Sequence, residues 1–276
     1  MIALDGGEEK GGMEMNRVNA LIAGCLMAVL AVQPAFAAMD REKLLTEPGV
    51  YGTFAVFKVD DSWWKLDKAT RAFAAGEVKG VFQKHAERVA VDTYLLRGLM
   101  ENADFFVRVH STEMLHNQNF LVDLMGTRIG KYLVNTYTFN GITKKANYVP
   151  SLPDDLKTAL KTPPDTGPKP YAIVVPVRKD AEWWLMPQDG RNAMMKEHTE
   201  ATVAYLKTVK RKLYHASGLD DLDFITYFET AKLDDFNNLI IALEGVKENR
   251  HNKQFGSPTL LGTIRPLDEI LEILAR

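Results

Sequence analysis

The stretch "VKRKLYHASGLDDLDFITYFET", residues 209–230, places one arginine among apolar and hydroxyl side chains. It predicts two strands joined by a polar turn, and residues two apart on a strand share one face. Arg211 then lies beside Leu213 on the first strand, while Thr226 and Phe228 share a face of the second. Burial of a charged guanidinium among such side chains costs free energy unless an anion pairs with it. We therefore predict that Arg211 binds an anion; the alternative is an ion pair with an acid from elsewhere in the fold.

One histidine lies on the apolar face of a predicted helix, in the segment "RNAMMKEHTEATVAYLK". The pattern alone favours a His198 that packs in the core. The alternative is an axial ligand to an iron macrocycle, which needs a carboxylate on its other ring nitrogen. Glu248, in "VKENR" at the end of a later predicted helix, is the candidate carboxylate. A glutamate at such a position is more often solvated, so spacing leaves both interpretations open.

Aromatic and polar residues elsewhere would suit the walls of a pocket for a flat cofactor. Trp183 and Trp184 form a tandem pair just before the helix of His198. Lys179 and the segment "NYV", residues 147–149, lie at the ends of predicted strands, where they could donate hydrogen bonds to carboxylates. Core and surface packing is the favoured explanation of the tryptophan pair, and each of the other residues is a weak signal when it is taken alone.

Several classes of protein lack support in the sequence. The chain has a formal net charge of -2, which does not favour nucleic-acid binding. Its six histidines show no H-E-x-x-H spacing, and no dinucleotide or P-loop motif is present. Cys25 is the single cysteine, so a C-x-x-C-H site for covalent haem attachment is absent.

The N-terminal segment 1–37 has the features of a secretory signal peptide. An apolar run, Ala20–Val32, precedes a small-x-small site that ends at Ala37. The run is too short to span a bilayer, so we expect cleavage near Ala37/Ala38 and no membrane span in the mature chain. The alternative is a lipoprotein signal, because "IAGC" would leave a lipidated Cys25 at the N-terminus.

The order of predicted elements is β-α-β-β-α-β, and it occurs twice, which is the ferredoxin-like pattern. The segments "DFFVRVHSTE" and "DFITYFETAK" begin alike at corresponding places, as a duplication predicts. We therefore expect an N-terminal half over 38–150, a linker over 151–169 and a C-terminal half over 170–276. Each half would form a four-stranded antiparallel sheet, and the segment 181–207 is predicted to be helical.

The segments "LTEPGVYGTFAVFKV", "HTEATVAYLKTVKRKLYHASGLDDLDFITYFET", "FNNLIIAL" and "GSPTLLGTI" resemble the long-chain periplasmic branch of the chlorite dismutase family. The resemblance implies an α+β fold of two fused ferredoxin-like halves, a dimeric α+β barrel whose antiparallel sheets carry helices on their outer faces. It also implies one non-covalent haem b per subunit, a periplasmic location and a homopentamer. The implied reaction converts chlorite, a small anionic substrate, to chloride and dioxygen.

The resemblance also implies a role for each candidate residue. His198 would be the proximal ligand of the haem iron, Glu248 its hydrogen-bond partner and Arg211 the distal arginine. The remaining residues would line the distal pocket or hold the haem edge and propionates: Leu213, Thr226, Phe228, Lys179, Asn147, Tyr148, Trp183 and Trp184. Two alternatives stay open, namely a haem-handling relative of the coproheme decarboxylase or peroxidase type, and a non-catalytic haem-binding protein.

Overall fold

The computed structural model describes residues 39–276, so the predicted signal peptide and its cleavage site lie outside the described residues. Nine strands form one sheet, and every pairing between neighbours is antiparallel. In chain order, β1 to β9 are Tyr51–Val59, Ala90–Leu95, Phe105–Ser111, Leu133–Ile142, Tyr171–Lys179, Val209–His215, Phe224–Thr230, Asn252–Phe255 and Leu260–Ile264.

The sheet consists of two sets of four strands with the same internal order. The first set runs β4-β1-β3-β2, and the second runs β9-β5-β7-β6. The sets meet at two narrow seams, where Ile142 pairs with His215 and Tyr94 pairs with Ile264. Because β5 also pairs with β7, the eight strands close on themselves, with β8 as a short addition beside β5. This arrangement confirms the predicted fold of two ferredoxin-like halves.

Eight α-helices accompany the strands in this part of the chain. They are α1 to α8, namely Arg41–Thr46, Lys68–His85, Met114–Gly126, Asp154–Ala159, Ala181–Leu185, Gln188–Thr202, Leu233–Glu244 and Leu267–Ala275. Short 3-10 helices cover Trp63–Lys65, Ile129–Tyr132, Val149–Ser151, Val203–Tyr205 and Lys247–His251.

The core has an inner and an outer part, because side chains alternate across each strand. In β1, Phe54 and Val56 point into the closed sheet, where they meet buried residues of both halves. Ala55 and Phe57 lie on the opposite face of β1 and pack outward against α2, α3 and α8. A second outer cluster joins β5 and β7 to α7. Both faces of these strands are thus buried, which explains their nearly continuous apolar sequences.

The helix that carries His198 is shorter than predicted. The segment 181–207 forms α5, a break and then α6, followed by a 3-10 turn. Pro187 causes the break, because the residue before a proline is disfavoured in a helix and proline itself starts one well. Its backbone is extended, at φ -54° and ψ 149°, directly before α6. The prediction that the whole segment 181–207 is helical was therefore wrong at this break, while α5, α6 and the 3-10 turn are helical.

Two further features differ from the prediction. The segment 151–169, predicted as a linker, contains α4, and its Leu156 is buried together with Leu152 just before the helix. Burial of these two leucines stabilises a defined structure in part of this proline-rich connection. The strand β8 was not predicted, since three of its four residues are polar and they give no strand pattern in the sequence. The bounds proposed for the two halves remain a prediction.

Candidate active site

A large cavity lies beside the C-terminal half, between the outer face of β5–β7 and the helices α6 and α7. Its volume is about 1170 Å³. All eleven residues named as candidates from the sequence line it: Asn147, Tyr148, Lys179, Trp183, Trp184, His198, Arg211, Leu213, Thr226, Phe228 and Glu248. These residues come from three strands, two α-helices, a 3-10 helix and a loop, so the fold collects them from well-separated parts of the chain.

The β6–β7 hairpin supplies one wall of the cavity. Arg211 pairs across the strands with Phe228, and Leu213 pairs with Thr226, so the four side chains share one face. Arg211 is half-buried, and its Nη1 donates to the hydroxyl of Thr202 on α6 at 2.9 Å. Its Nη2 is buried and has no hydrogen-bond partner among the described residues. One donor of a permanently charged group therefore has no partner among the described residues.

The surroundings of Arg211 are poorly solvated. Burial lowers the pKa of its guanidinium from the usual value, and nearby Tyr148 opposes that shift. The group nevertheless keeps its charge, because arginine does not deprotonate in proteins. Burial in turn raises the pKa of Tyr148, so this phenol is neutral and able to donate a hydrogen bond.

His198 lies on the opposite wall, on α6, with its ring held by a carboxylate. The distance from its Nδ1 to Oε2 of Glu248 is 3.1 Å. Since a carboxylate only accepts, Nδ1 carries the proton and Nε2 keeps a free lone pair. Burial, with smaller effects from Arg211 and Lys179, lowers the pKa of His198 to about 4. The imidazole is therefore neutral at pH 7, as a metal ligand must be.

Glu248 is shared between His198 and a lysine. It is 8% exposed, on the 3-10 helix that follows α7, and its Oε1 pairs with Nζ of Lys179. The same ammonium donates to Oδ1 of Asn252 at 2.7 Å and lies over the ring of Trp183, 4.5 Å from its centroid. Burial lowers the pKa of Lys179 to about 8. Lys179 lines the cavity, but its ammonium is engaged by Glu248 rather than free to meet a propionate.

The tandem tryptophans differ in position. Trp183 is buried beside Lys179, whereas Trp184 is 45% exposed and stacks on Phe224, with 6.0 Å between ring centroids. The short segments that precede α4 and α6 thus give the cavity aromatic edges. Asn147, next to Tyr148, is exposed at the mouth.

Two features of the site were missed from the sequence. Thr202, the partner of Arg211, was not among the candidate residues predicted from the sequence; its spacing of four residues from His198 was the available signal. The cavity also carries more basic than acidic side chains among the residues described, which favours an anionic ligand. The basic ones are Lys144, Lys145, Lys179, Arg191, Arg211 and Lys212, and the acidic ones are Asp223, Glu244 and Glu248.

Comparison with known proteins identifies the family. The sequence profile described as "Chlorite dismutase" matches residues 71–265. The chain belongs to the chlorite dismutase family. A curated chlorite dismutase from Ideonella dechloratans is 43% identical over 239 residues, which cover 86% of this chain and 84% of that protein.

Solved structures of the chlorite dismutase family agree with the fold. Chlorite dismutase from Candidatus Nitrospira defluvii, in complex with imidazole, is 54% identical, with a TM-score of 0.84 over 86% of this chain and all of that one. A protein from Thermus thermophilus, described as a novel heme-binding protein, matches at 18% identity with a TM-score of 0.68 over 83% of this chain and 96% of its own. That second likeness concerns the fold alone.

No helix among the described residues is long and apolar enough to cross a membrane.

Proposed function

We propose that this protein is an enzyme that converts chlorite to chloride and dioxygen, with haem bound in the cavity between α6 and the β6–β7 hairpin. Membership of the chlorite dismutase family supports the reaction, which needs no second substrate because both oxygen atoms of dioxygen come from chlorite. The observation that carries the proposal for the site is the pair of opposing groups. A neutral imidazole, fixed by a carboxylate, and an unsatisfied guanidinium line the same cavity.

The side chains fit a haem. His198 presents a free Nε2 to the cavity, because Nδ1 is committed to Glu248. A carboxylate behind a ligand histidine fixes its tautomer and raises its basicity. Trp184 and Phe228 offer apolar surface to a macrocycle, and the basic residues that line the cavity suit its carboxylates. Bound haem iron would supply the redox chemistry that rearranges the bonds of chlorite.

Each wall of the cavity has a separate task in the proposed reaction. His198 would hold the iron, and Glu248, hydrogen-bonded to its ring, would raise the negative charge on that ligand. Arg211 binds chlorite through charge-assisted hydrogen bonds, which are about twice as strong as neutral ones. Leu213 and Phe228 offer no competing hydrogen bond, so the anion is confined next to the guanidinium. Retention of oxidising fragments such as hypochlorite is the second task of Arg211.

The finer points of the proposal follow from the sequence and the family. We propose haem b, one per subunit, bound without covalent attachment, because the single cysteine lies in the predicted leader. Export to the periplasm follows from the predicted signal peptide, residues 1–37. Assembly into a homopentamer is proposed from the family, in which the long-chain branch forms rings.

Oxygen release from chlorite tests the function. Protein loaded with haem should evolve one dioxygen per chlorite in an oxygen electrode, and His198→Ala should lose both haem and activity. His116→Ala is the matched control, because this histidine lies on α3, away from the cavity. Haem binding without oxygen release would contradict the proposal and favour a non-catalytic haem-binding protein. Decarboxylation of coproheme instead would favour the haem-handling alternative.

A further inference from the structure

The guanidinium of Arg211 is anchored at one nitrogen and free at another. Nη1 donates to Oγ1 of Thr202 at 2.9 Å, while Nη2 is buried without a partner among the described residues. The two nitrogens of one planar group are thus in different states. Fixing Nη1 also fixes where Nη2 points, because the fork of a guanidinium is rigid.

Thr202 is itself well fixed. It is 1% exposed at the last position of α6, and its hydroxyl donates to the carbonyl of Thr199 at 3.1 Å. With its proton committed to that carbonyl, Oγ1 is left as an acceptor for Arg211. Thr202 also follows His198 by four residues, so both side chains lie on one face of α6. The residue that would hold the iron and the residue that holds the arginine therefore share one helix.

We infer that Thr202 is a positioning residue, which fixes the orientation of the Arg211 guanidinium in the cavity wall before an anion binds there. This inference rests on the proposed function of Arg211. An arginine side chain that is free to rotate must be ordered when it binds, and that ordering weakens affinity. The hydrogen bond to Thr202 orders the arginine side chain before the anion binds, so less affinity is lost.

The inference predicts a specific loss when the hydroxyl is removed. Thr202→Val keeps the shape of the side chain but leaves Nη1 without its acceptor. Ordering one such side chain typically changes affinity roughly 2- to 10-fold, so we expect a loss of that size for an anion. Thr202→Ser keeps the acceptor and should restore the affinity. If valine prevents folding, Thr202→Ala gives the same test without the branched side chain.

The experiment measures binding of nitrite, a bent three-atom anion, to the haem-loaded protein from the change in its absorption spectrum. It uses the wild type, Thr202→Val, Thr202→Ser, Arg211→Ala and the double variant Arg211→Ala/Thr202→Val. Thr230→Val is the matched control, because this buried hydroxyl, in the same hairpin, donates to the carbonyl of Thr208 at 2.8 Å and lies outside the cavity.

The inference holds if Thr202→Val weakens nitrite binding, Thr202→Ser restores it, and Thr202→Val has no further effect once Arg211 is alanine. It is overturned if Arg211→Ala weakens binding while Thr202→Val does not, or if Thr202→Val costs the same affinity with and without Arg211. Unchanged binding in Arg211→Ala would instead refute the anion-binding role of Arg211, and the inference about Thr202 with it. Equal losses in Thr230→Val would also overturn it, because removal of any buried hydroxyl would then disturb the site.

Discussion

Replacing Glu248 by glutamine tests whether the carboxylate behind His198 controls the iron. Glutamine keeps the shape and a hydrogen-bond acceptor for Nδ1, which lies 3.1 Å from Oε2 in the wild type, but removes the charge. Ferric iron carries one more positive charge than ferrous iron, so a less negative ligand reduces the stabilisation of the ferric state more. We therefore expect the reduction potential to rise.

The size of the rise follows from the contacts of Glu248. Loss of a partner of a ligand histidine typically changes metal affinity about 10- to 100-fold. If the whole effect falls on the ferric state, a one-electron couple shifts by about 59 mV per factor of ten, or roughly 60 to 120 mV. Glu248 is also paired with the ammonium of Lys179, which already neutralises part of its charge. We therefore expect a shift near the lower value, about 60 mV.

A spectroelectrochemical titration of the haem-loaded protein measures this shift. Glu197→Gln is the matched control, because it removes the same charge one residue from His198, where the side chain faces Lys247 at 3.6 Å. The control should shift the potential far less than Glu248→Gln. An unchanged or lowered potential in Glu248→Gln, or equal shifts in both variants, would refute the reasoning.

Four further predictions concern the ligand, the anion, stability and assembly. His198→Ala should purify with little haem and regain part of it with added imidazole; a normal haem spectrum would mean that another residue is the ligand. Arg211→Ala should bind haem, leak more hypochlorite into a chemical trap and bleach sooner, with Arg211→Lys between the two; wild-type leakage and lifetime would contradict this. Burial, helped by Arg108 and Lys212, lowers the pKa of His110 well below 6.5. Below about pH 6.5 the unfolded chain therefore binds more protons than the folded one. The free energy of unfolding should fall as the pH drops below that value, by up to about 1.4 kcal/mol per pH unit. Urea unfolding of His110→Gln should show a flatter pH dependence, and an unchanged slope would exclude His110 as its source. Light scattering should give a pentamer, and a monomer at working concentration would remove that proposal.

Local pattern was enough to predict the hairpin wall of the site. Alternation along β6 and β7 fixes which side chains share a face, and the pairing of Arg211 with Phe228 needs only that the two strands are neighbours. The ferredoxin-like order of elements was likewise readable, since each strand and helix has its own period. The position of Pro187 was visible too, and its effect on the helix 181–207 was missed.

Contacts between residues far apart in the sequence could not be predicted from local sequence patterns. Nothing in the spacing of His198 and Glu248 requires their contact, because it depends on how the 3-10 helix after α7 packs on α6; the resemblance supplied the pair. The same holds for Lys179, whose ammonium turns toward Glu248. The seams between the two halves were also unpredictable, since each rests on only one or two residue pairs.

The fate of the oxygen atoms of chlorite tests the central claim most directly. Haem-loaded protein should be given chlorite labelled with oxygen-18 in ordinary water, and the dioxygen released should be analysed by mass spectrometry. If the cavity around Arg211 confines the anion and its fragments until the oxygen atoms join, each chlorite yields one doubly labelled dioxygen and one chloride. Singly labelled or unlabelled dioxygen would show that fragments escape and exchange with water before they recombine, and the absence of dioxygen would contradict the reaction itself.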